Sequence, residues 1–449
     1  MAMKERAQQF LEKHKLLAEA IDADAVIHEF ISEMEKGLAD RDSSLKMIPT
    51  YVTIDNPVPA GKPVIVIDAG GTNLRVATLT FAADGSYTVA NFHKAPMPGT
   101  KEVVRTKEEF FDRLADFLEP VIDDSDRIGF CFSYPARITP DCDGVLIEWT
   151  KGIQAKEVEG ESIGKGLNAA LAKRGKAGKR IVILNDTIAT LLAGKSIGGP
   201  RQYDTYLGVI EGTGSNTAYV EQNRNVPKLA DMNTGAMAIN LESGGFGKCP
   251  RTDIDVAFDA TTGSAGKQKF EKMISGGYLG GVGLHAMKAA AAEGLFSAAA
   301  SAQIGGWTKL ETKDMDDFLW NPHRPSVFNT PAFGSDDREL VLCIAAAVIR
   351  RAALLLAINV AAPAIKSGKG TTPLHPVCVV MDGSTYYKTN NLKSQTEEFL
   401  RGILSKRGIF FDTIQVQEQA VEYMSANGER KSDTVGAPVI GAAVAGLTV

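Results

Sequence analysis

Two short glycine-rich turns carry the strongest chemical signal in the chain. The segments DAGGTN, residues 68–73, and EGTGSN, residues 211–216, each follow one apolar run and precede another. Glycine leaves backbone N–H groups uncovered, and consecutive N–H groups with Thr or Ser hydroxyls form a concavity that binds anions. Two such turns facing one cleft would hold a polyphosphate from both sides. The alternative, an ordinary hairpin turn, is weaker for the two together than for either alone.

A polar pair marks a second place suited to chemistry. Asn185 and Asp186 stand between an apolar strand-like run and a helix in KRIVILNDTIATLLAGKS, residues 179–196. In an open α/β sheet, ligands bind outside the carboxyl ends of the strands. The position favours a site, although Asn-Asp before a helix is also a common N-cap.

The elements that must position these residues are strands and helices in alternation. The patterns predict helices within 1–40 and over 106–123 and 436–447, and strands within 64–81, 127–136 and 179–184. The most apolar stretch, 341–365, contains Arg350 and Arg351, which a bilayer tolerates poorly, so we expect a buried helix. The plan of the first glycine segment recurs about 140 residues later. That repeat predicts an α/β fold with a duplicated βββαβα half and a cleft between two lobes.

The composition is that of an ordinary globular protein. The chain has 449 residues, 44% hydrophobic and 23% charged, with a net charge of −5, which argues against a general nucleic-acid binder. Its five cysteines and six histidines lack the spacings of disulfide frameworks and metal sites. The N-terminus is charged, without the apolar core of a signal peptide. We expect a cytoplasmic protein without membrane attachment, monomeric or homodimeric.

Eight segments, in order along most of the chain, resemble the motifs of eukaryotic-type hexokinases, in the sugar kinase/Hsp70/actin-like ATPase superfamily. Any one is a moderate signal, and the conserved order makes a strong one. They are DAGGTNLRV (68–76), GFCFSYP (129–135), GVLIEWTKGI (144–153), LNDTIATLLAG (184–194), GTGSNTAYVE (212–221), INLESGGFG (239–247), KQKFEKMISGGYLGG (267–281) and VVMDGSTYY (379–387).

The resemblance implies an ATP-dependent hexose 6-kinase and a role for each matching position. Asp186 would be the general base on the sugar 6-hydroxyl, and Lys151 would stabilise the moving charge. Mg²⁺ would be held through ATP and water near Asp68 and Asp186, without direct protein ligands. The sugar would be bound by Ser133, Thr150, Lys151, Asn185, Asp186, Asn216, Glu242 and Glu271. The phosphates and nucleotide would be bound by Asp68, Gly70, Gly71, Thr72, Asn73, Arg75, Gly212, Thr213, Gly214, Gly383 and Ser384.

The implied sugar contacts agree with elementary chemistry. A hexose is a ring of hydroxyls, each both donor and acceptor, and a site built to bond a hydroxyl rejects analogues that lack it. Carboxylates, amides, hydroxyls and a lysine form such an inventory. Taken singly, however, Lys151 and Glu271 are ordinary surface charges, and Glu242 is a solvated turn residue.

Several positions depart from the usual family pattern. Leu74 stands where Phe is usual, Ser243 where Trp is usual, Gly281 where Glu is usual, and Glu211 where an apolar residue is usual. SYPARI, 133–138, replaces Ser-Phe-Pro-Cys-x-Gln. Glucose is the leading substrate, and mannose, fructose and amino sugars remain open.

The predicted lobes are discontinuous. Residues 62–188 with 436–449 form the small domain, and 1–61 with 189–435 form the large domain. Two other functions are compatible with the fold: a catalytically silent sugar sensor, and an actin- or chaperone-like ATPase. The acidic residue Asp186 argues against the first, and the cleft carboxylates Glu242 and Glu271 argue against the second.

Overall fold

Fourteen α-helices and fifteen strands lie within the residues that the computed structural model describes, 2–71, 73–100, 103–149, 152–197, 201–229, 232–425 and 427–449. The strands are β1 Ile48–Pro49, β2 Pro63–Gly70, β3 Asn73–Phe81, β4 Tyr87–Pro96, β5 Arg127–Phe132, β6 Ala136–Ile138, β7 Gly144–Leu146, β8 Arg180–Leu184, β9 Thr205–Glu211, β10 Ser215–Gln222, β11 Ala236–Asn240, β12 Val377–Asp382, β13 Phe411–Gln415, β14 Gln419–Met424 and β15 Arg430–Val435. The helices are α1 Met3–Lys13, α2 Ala23–Leu38, α3 Lys107–Leu118, α4 Ile163–Ala172, α5 Asp186–Ile197, α6 Asp253–Thr261, α7 Glu271–Ile274, α8 Leu279–Ala292, α9 Ala298–Gly305, α10 Thr312–Trp320, α11 Ser335–Ser367, α12 Ser384–Lys388, α13 Leu392–Ser405 and α14 Ala437–Thr448.

Two mixed sheets share one strand plan. The first runs β4-β3-β2-β5-β8 and the second β11-β10-β9-β12-β13, with the short β1 added at the edge of β11. In both sheets, the first three strands along the chain form an antiparallel meander. A fourth strand then pairs parallel with the first strand, and a fifth pairs parallel with the fourth. The duplicated βββαβα half predicted from the glycine segments is therefore confirmed.

Local sequence explains where the predicted elements begin and end. The helix predicted over 106–123 is α3, which starts after Thr106, where Thr106 and Glu109 form a reciprocal capping box. The N-terminal helical region divides into α1 and α2, because Asp22 caps the second helix by accepting a hydrogen bond from the Ala25 N–H.

The helices of the interior are apolar on all sides. Helices α5 and α14 share one core with strands of both sheets, so they are buried around their whole circumference rather than along one stripe. Helix α14 packs against α5, β2 and β5. Helix α11 is long and apolar enough to cross a membrane by length and composition, yet 78% of its most apolar window is buried inside the protein. The buried helix predicted over 341–365 is confirmed.

Candidate active site

A polar cleft of about 740 Å³ collects most of the residues predicted to contact sugar. It is lined by strand ends and turns of both sheets. Among its lining residues are Ser133, Asn185, Asp186, Thr213, Gly214, Asn216, Glu242 and Glu271. The predicted residues Thr72, Thr150 and Lys151 lie outside the described residues. The cleft therefore joins the second glycine turn to the sugar segments of the sequence.

Asp186 is the first residue of α5, directly beyond the carboxyl end of β8. Its Oδ1 and the Oδ1 of Asn185 both accept a hydrogen bond from the Thr187 N–H, each at 2.8 Å. Those bonds fix both side chains at the helix start, where the helix dipole favours a negative charge. Within the described ranges, the second carboxylate oxygen of Asp186 accepts no hydrogen bond from protein and is available to a hydroxyl.

A chain of amide and carboxylate contacts fixes the large-lobe wall of the cleft. Asn216 Nδ2 donates to Asn240 Oδ1 at 2.8 Å, and Asn240 Nδ2 donates to Glu242 Oε1 at 2.8 Å. Glu242 has a φ of 55°, a left-handed conformation that few non-glycine residues adopt. Asn240 was not predicted, although it lies in the quoted segment INLESGGFG and ends β11. Its place beside Glu242 could have been inferred from the period of a strand.

Glu271 belongs to the same wall through a backbone contact. It opens the short helix α7, and its Oε2 accepts a hydrogen bond from the Ser215 N–H at 2.9 Å. Burial raises its pKa, and the bond from Ser215 offsets part of that rise. The next residue, Lys272, is buried and bonds Asp259 at 2.6 Å. This buried ion pair anchors α7 from behind and so fixes Glu271.

A group of ion pairs lies beside the first glycine turn. Asp68 lies near the end of β2, opposite Arg75 of β3. Arg75 Nη1 donates to Asp68 Oδ2 at 3.0 Å, and its Nε donates to Asp433 Oδ2 at 3.0 Å. Lys94 also pairs with Asp433, at 2.8 Å. The guanidinium of Arg75, predicted at the phosphates, is thus engaged by two carboxylates. Gly70, Gly71 and Asn73 surround the turn itself.

The second glycine turn is fixed by its neighbours through backbone bonds. The Gly212 carbonyl accepts from the Gly276 N–H at 2.9 Å and from Thr385 Oγ1 at 2.8 Å, and the Thr213 carbonyl accepts from the Gly277 N–H at 3.0 Å. The predicted nucleotide segment at Gly383 and Ser384 lies against this turn. Gly383 has a φ of 112°, and a Cβ there would meet the Glu211 carbonyl at 2.3 Å, so no other residue fits.

Three acidic side chains lie close together in this region: Asp68, Asp186 and Asp382. Burial raises the pKa of Asp68, and the nearby charge of Asp186 adds to this rise, whereas Arg75 partly offsets it. Burial also raises the pKa of Asp382, which precedes Gly383, and Asp186 again adds to that effect. Asp382 was not among the predicted residues. So many carboxylates around an anion-binding turn require a cation when phosphate is bound.

Sheets of one plan with a polar cleft between their strand ends define the class of two-lobed, actin-like folds. Residues 206–443 match a family model described as hexokinase, and residues 6–196 match a second model of the same description. The chain belongs to the hexokinase family.

Individual relatives agree with this assignment. The chain is 32% identical over 404 residues to hexokinase-2 of Homo sapiens, covering 84% of this chain and 43% of that protein. It is 36% identical over 275 residues to hexokinase-1 of Schizosaccharomyces pombe, covering 57% of this chain and 55% of that protein. The chain spans about half the length of the curated relatives it matches.

Solved structures show the same fold. A structure described as a crystal structure of hexokinase has a TM-score of 0.78 at 24% identity and covers 99% of both chains. A hexokinase from Schistosoma mansoni complexed with glucose has a TM-score of 0.74 at 24% identity and covers 100% of both chains. The two-lobed α/β fold predicted from the sequence is confirmed.

Proposed function

We propose that the protein is an ATP-dependent hexose 6-kinase. The observation that carries the proposal is the place of Asp186, at the start of α5 and in one cleft with Asn216, Glu242 and Glu271. A carboxylate with one oxygen fixed and the other available can orient a hydroxyl and take its proton. The surrounding amides and carboxylates suit a ligand covered with hydroxyls.

The proposed reaction separates the residues that bind the hexose from those that act on the transferred group. Ser133, Asn185, Asn216, Glu242 and Glu271 would bind the hexose, together with the predicted contacts Thr150 and Lys151. Asp186 would hold the 6-hydroxyl in line with the γ-phosphoryl group and take up its proton as the new oxygen–phosphorus bond forms. The bond from the γ-phosphorus to the bridging oxygen would break, and ADP would leave with that oxygen. Phosphoryl transfer depends mainly on positioning and charge neutralisation, and Lys151 would supply positive charge there.

Nucleotide would bind across the two turns. Backbone groups of Gly70, Gly71, Gly212, Thr213 and Gly214 would surround its phosphates, with Thr72 and Asn73 completing the first turn. Gly383 and Ser384 would lie at the adenosine. Arg75 would act through Asp68, which it bonds directly.

The carboxylates of Asp68 and Asp186, beside the proposed phosphate site, fit Mg²⁺ that binds together with the nucleotide. Within the described residues, no group of three or more His, Cys, Asp or Glu side chains is arranged to hold a metal ion. Mg²⁺ in kinase sites usually keeps several of its waters, so Asp68 and Asp186 would lie near the ion and contact it through those waters. Bound there, Mg²⁺ would neutralise phosphate charge.

We further propose the domain division and cellular setting expected from the sequence. Helices α1 and α2 share a core with α11, which supports assigning 1–61 to the large domain with 189–435. Helix α14 packs on β2 and β5, which supports assigning 436–449 to the small domain with 62–188. A cytoplasmic enzyme, monomeric or homodimeric and without membrane attachment, is the corresponding proposal for localisation.

The test is ADP release from Mg-ATP with glucose, mannose, fructose, glucosamine or water as acceptor. We expect hexose-dependent turnover that falls about 10²- to 10⁴-fold in Asp186→Asn, which removes the charge but keeps the shape. The exposed Asp84→Asn is the matched control and should retain full turnover. Hexose binding without turnover in the unmodified protein would instead support a silent sensor, and turnover unaffected by hexose would contradict both.

A further inference from the structure

Tyr134 joins the sugar segment to the first glycine turn. It follows Ser133, lines the cleft and is 3% exposed. Its hydroxyl donates a hydrogen bond to the Gly71 carbonyl. One residue earlier, the Ser133 N–H donates to the Ala69 carbonyl at 3.2 Å. Two hydrogen bonds therefore connect this segment to the first glycine turn. One joins Ser133 to Ala69 near the end of β2, and the other joins Tyr134 to Gly71 in the turn itself.

The two ends of this connection differ in stiffness. Gly71 has a φ of 70°, and glycine permits many other backbone conformations at little cost. The ring of Tyr134 is held firmly, because it packs edge-on against Trp149, with ring centroids 4.9 Å apart, and at a tilt against Phe132, with ring centroids 5.0 Å apart. Trp149 in turn donates from Nε1 to the Ala155 carbonyl at 2.7 Å. A rigid phenol thus restrains the direction of one carbonyl in a flexible turn.

The surroundings keep the phenol protonated. Burial raises its pKa, and the nearby charge of Asp68 raises it further, so the hydroxyl remains a donor across the range in which enzymes work. The Gly71 carbonyl is partly buried, so water replaces a lost donor there only in part.

We propose that Tyr134 is a positioning residue that couples hexose binding at Ser133 to the shape of the phosphate turn at Gly71. The inference rests on the proposed kinase function. When Ser133 engages a hexose hydroxyl, the adjoining residue holds the Gly71 carbonyl in the arrangement that receives nucleotide. By linkage the effect is reciprocal, so each ligand tightens the binding of the other through this bond.

The experiment measures that coupling directly in Tyr134→Phe, which removes one oxygen and keeps the ring. Dissociation constants for Mg-ADP are measured by calorimetry with and without saturating glucose. We expect glucose to tighten Mg-ADP binding in the unmodified protein, and Tyr134→Phe to lose about two- to tenfold of that tightening. The affinity for glucose alone should change little, and the KM for ATP should rise more than that for hexose.

Tyr87→Phe is the matched control. Tyr87 is partly buried on β4 of the same sheet, at the end opposite to the turn, and its hydroxyl has no hydrogen bond to any described residue. We expect this variant to leave the coupling unchanged. Unchanged coupling in Tyr134→Phe as well would overturn the inference, and a uniform loss of all affinities would assign the bond a purely structural role and also overturn it.

A ligand-free measurement separates this inference from the proposed function. Hydrogen exchange of the backbone amides in 69–76 should be faster in Tyr134→Phe and unchanged in Tyr87→Phe. If the unmodified protein binds no hexose, the proposed function fails and the coupling fails with it. If hexose and Mg-ADP both bind but exchange in 69–76 is the same in all three proteins, only the role of Tyr134 is overturned.

Discussion

The two glycine turns follow one local plan, but the acidic residues that precede them lie in different electrostatic environments. Asp68 precedes the first turn and lies across from Arg75, whereas Glu211 precedes the second and lies across from Ser215. Asp68 is bonded by a guanidinium. Glu211 is fully buried, and among the described residues neither of its carboxylate oxygens has a hydrogen-bond partner.

The difference indicates which turn carries charge. Burial raises the pKa of Glu211 well above its usual range, and Glu271 adds to the rise. The Ser215 hydroxyl lies close enough to moderate this shift without making a hydrogen bond of normal geometry. We therefore expect Glu211 to be a neutral acid at neutral pH, which leaves no negative charge directly behind the second turn. Of the two acidic residues that precede the turns, only Asp68 would then present a carboxylate to a metal-bound phosphate.

The largest expected effect comes from removing the charge partner of the first turn. Arg75→Met leaves Asp68 without its ion-pair partner and leaves Asp433 with Lys94 alone. The side chains of Asp68 and Asp433 are only 10% and 13% exposed. We expect the free energy of unfolding to fall by about 3 kcal/mol, the lower end for a buried pair because Arg75 is 25% exposed. Urea unfolding at neutral pH measures it.

The second turn supplies the contrast. Ser215→Ala should cost less than about 1 kcal/mol, because the Ser215 hydroxyl makes no hydrogen bond to a described residue. In the first turn, Arg75→Met combined with Asp68→Asn should regain part of the loss, because the carboxylate that loses its partner is then neutral. Equal losses for Arg75→Met and Ser215→Ala would remove the distinction between the turns.

The next effect is a pH dependence specific to Glu211. Its raised pKa in the folded state means that the folded protein binds the proton more tightly than the unfolded chain does. The contribution of Glu211 to stability should therefore be fully present below the pKa that it has in the unfolded chain. That contribution should be lost as the pH rises from this pKa through the higher pKa of the folded state. Glu211→Gln cannot titrate, so the difference in unfolding free energy between the two proteins should shift by up to about 1.4 kcal/mol per pH unit.

Chemical unfolding at a series of pH values checks this expectation, since all other titrating groups are common to both proteins. The exposed Glu119→Gln serves as the control and should run parallel to the unmodified protein. A parallel profile for Glu211→Gln would show that Glu211 is not buried as a neutral acid.

The smallest effect concerns how closely the second turn approaches the cleft. A Cβ on Gly214 would lie 2.7 Å from Glu271 Oε2, whereas one on Gly212 would meet nothing closer than 3.8 Å. Neither glycine has a positive φ, so alanine strains neither backbone. Gly214→Ala should displace the Glu271 carboxylate and weaken glucose binding about tenfold, within the usual cost of overpacking.

Calorimetric titration with glucose measures the change, and Gly212→Ala should bind glucose within about twofold of the unmodified protein. The reverse order of the two variants would mean that Glu271 does not contact the hexose.

Local patterns were sufficient for much of this architecture. The two strand–turn–strand segments, the helix that begins after Thr106 and the place of Asp186 between a strand and a helix depend on residues within a few positions of one another, and each was predicted. The Arg75–Asp433 pair was not, because it joins positions 358 residues apart. Such a contact depends on how the hairpin β14–β15 packs against the first sheet, which no local pattern contains.

The buried ion pair of Lys272, the residue after Glu271, could not be predicted for a similar reason. Lys272 has the sequence neighbours of a surface lysine, yet Asp259, Thr262 and the Ser264 carbonyl enclose its ammonium group. Asn240 was closer to prediction, since it stands two residues before Glu242 at the end of a strand. Its role became clear only when the antiparallel pairing of β10 with β11 brought Asn216 beside it.

The burial of α14 against β2 and β5 also constrains the order of events during synthesis. The last residue of β2 precedes the first residue of α14 by about 370 positions. At roughly 5–20 residues per second, a ribosome needs roughly 20 to 75 seconds to make that stretch. During this time the apolar face formed by β2 and β5 has no helix to cover it. The nascent chain should therefore depend on a chaperone to shield that face until α14 emerges.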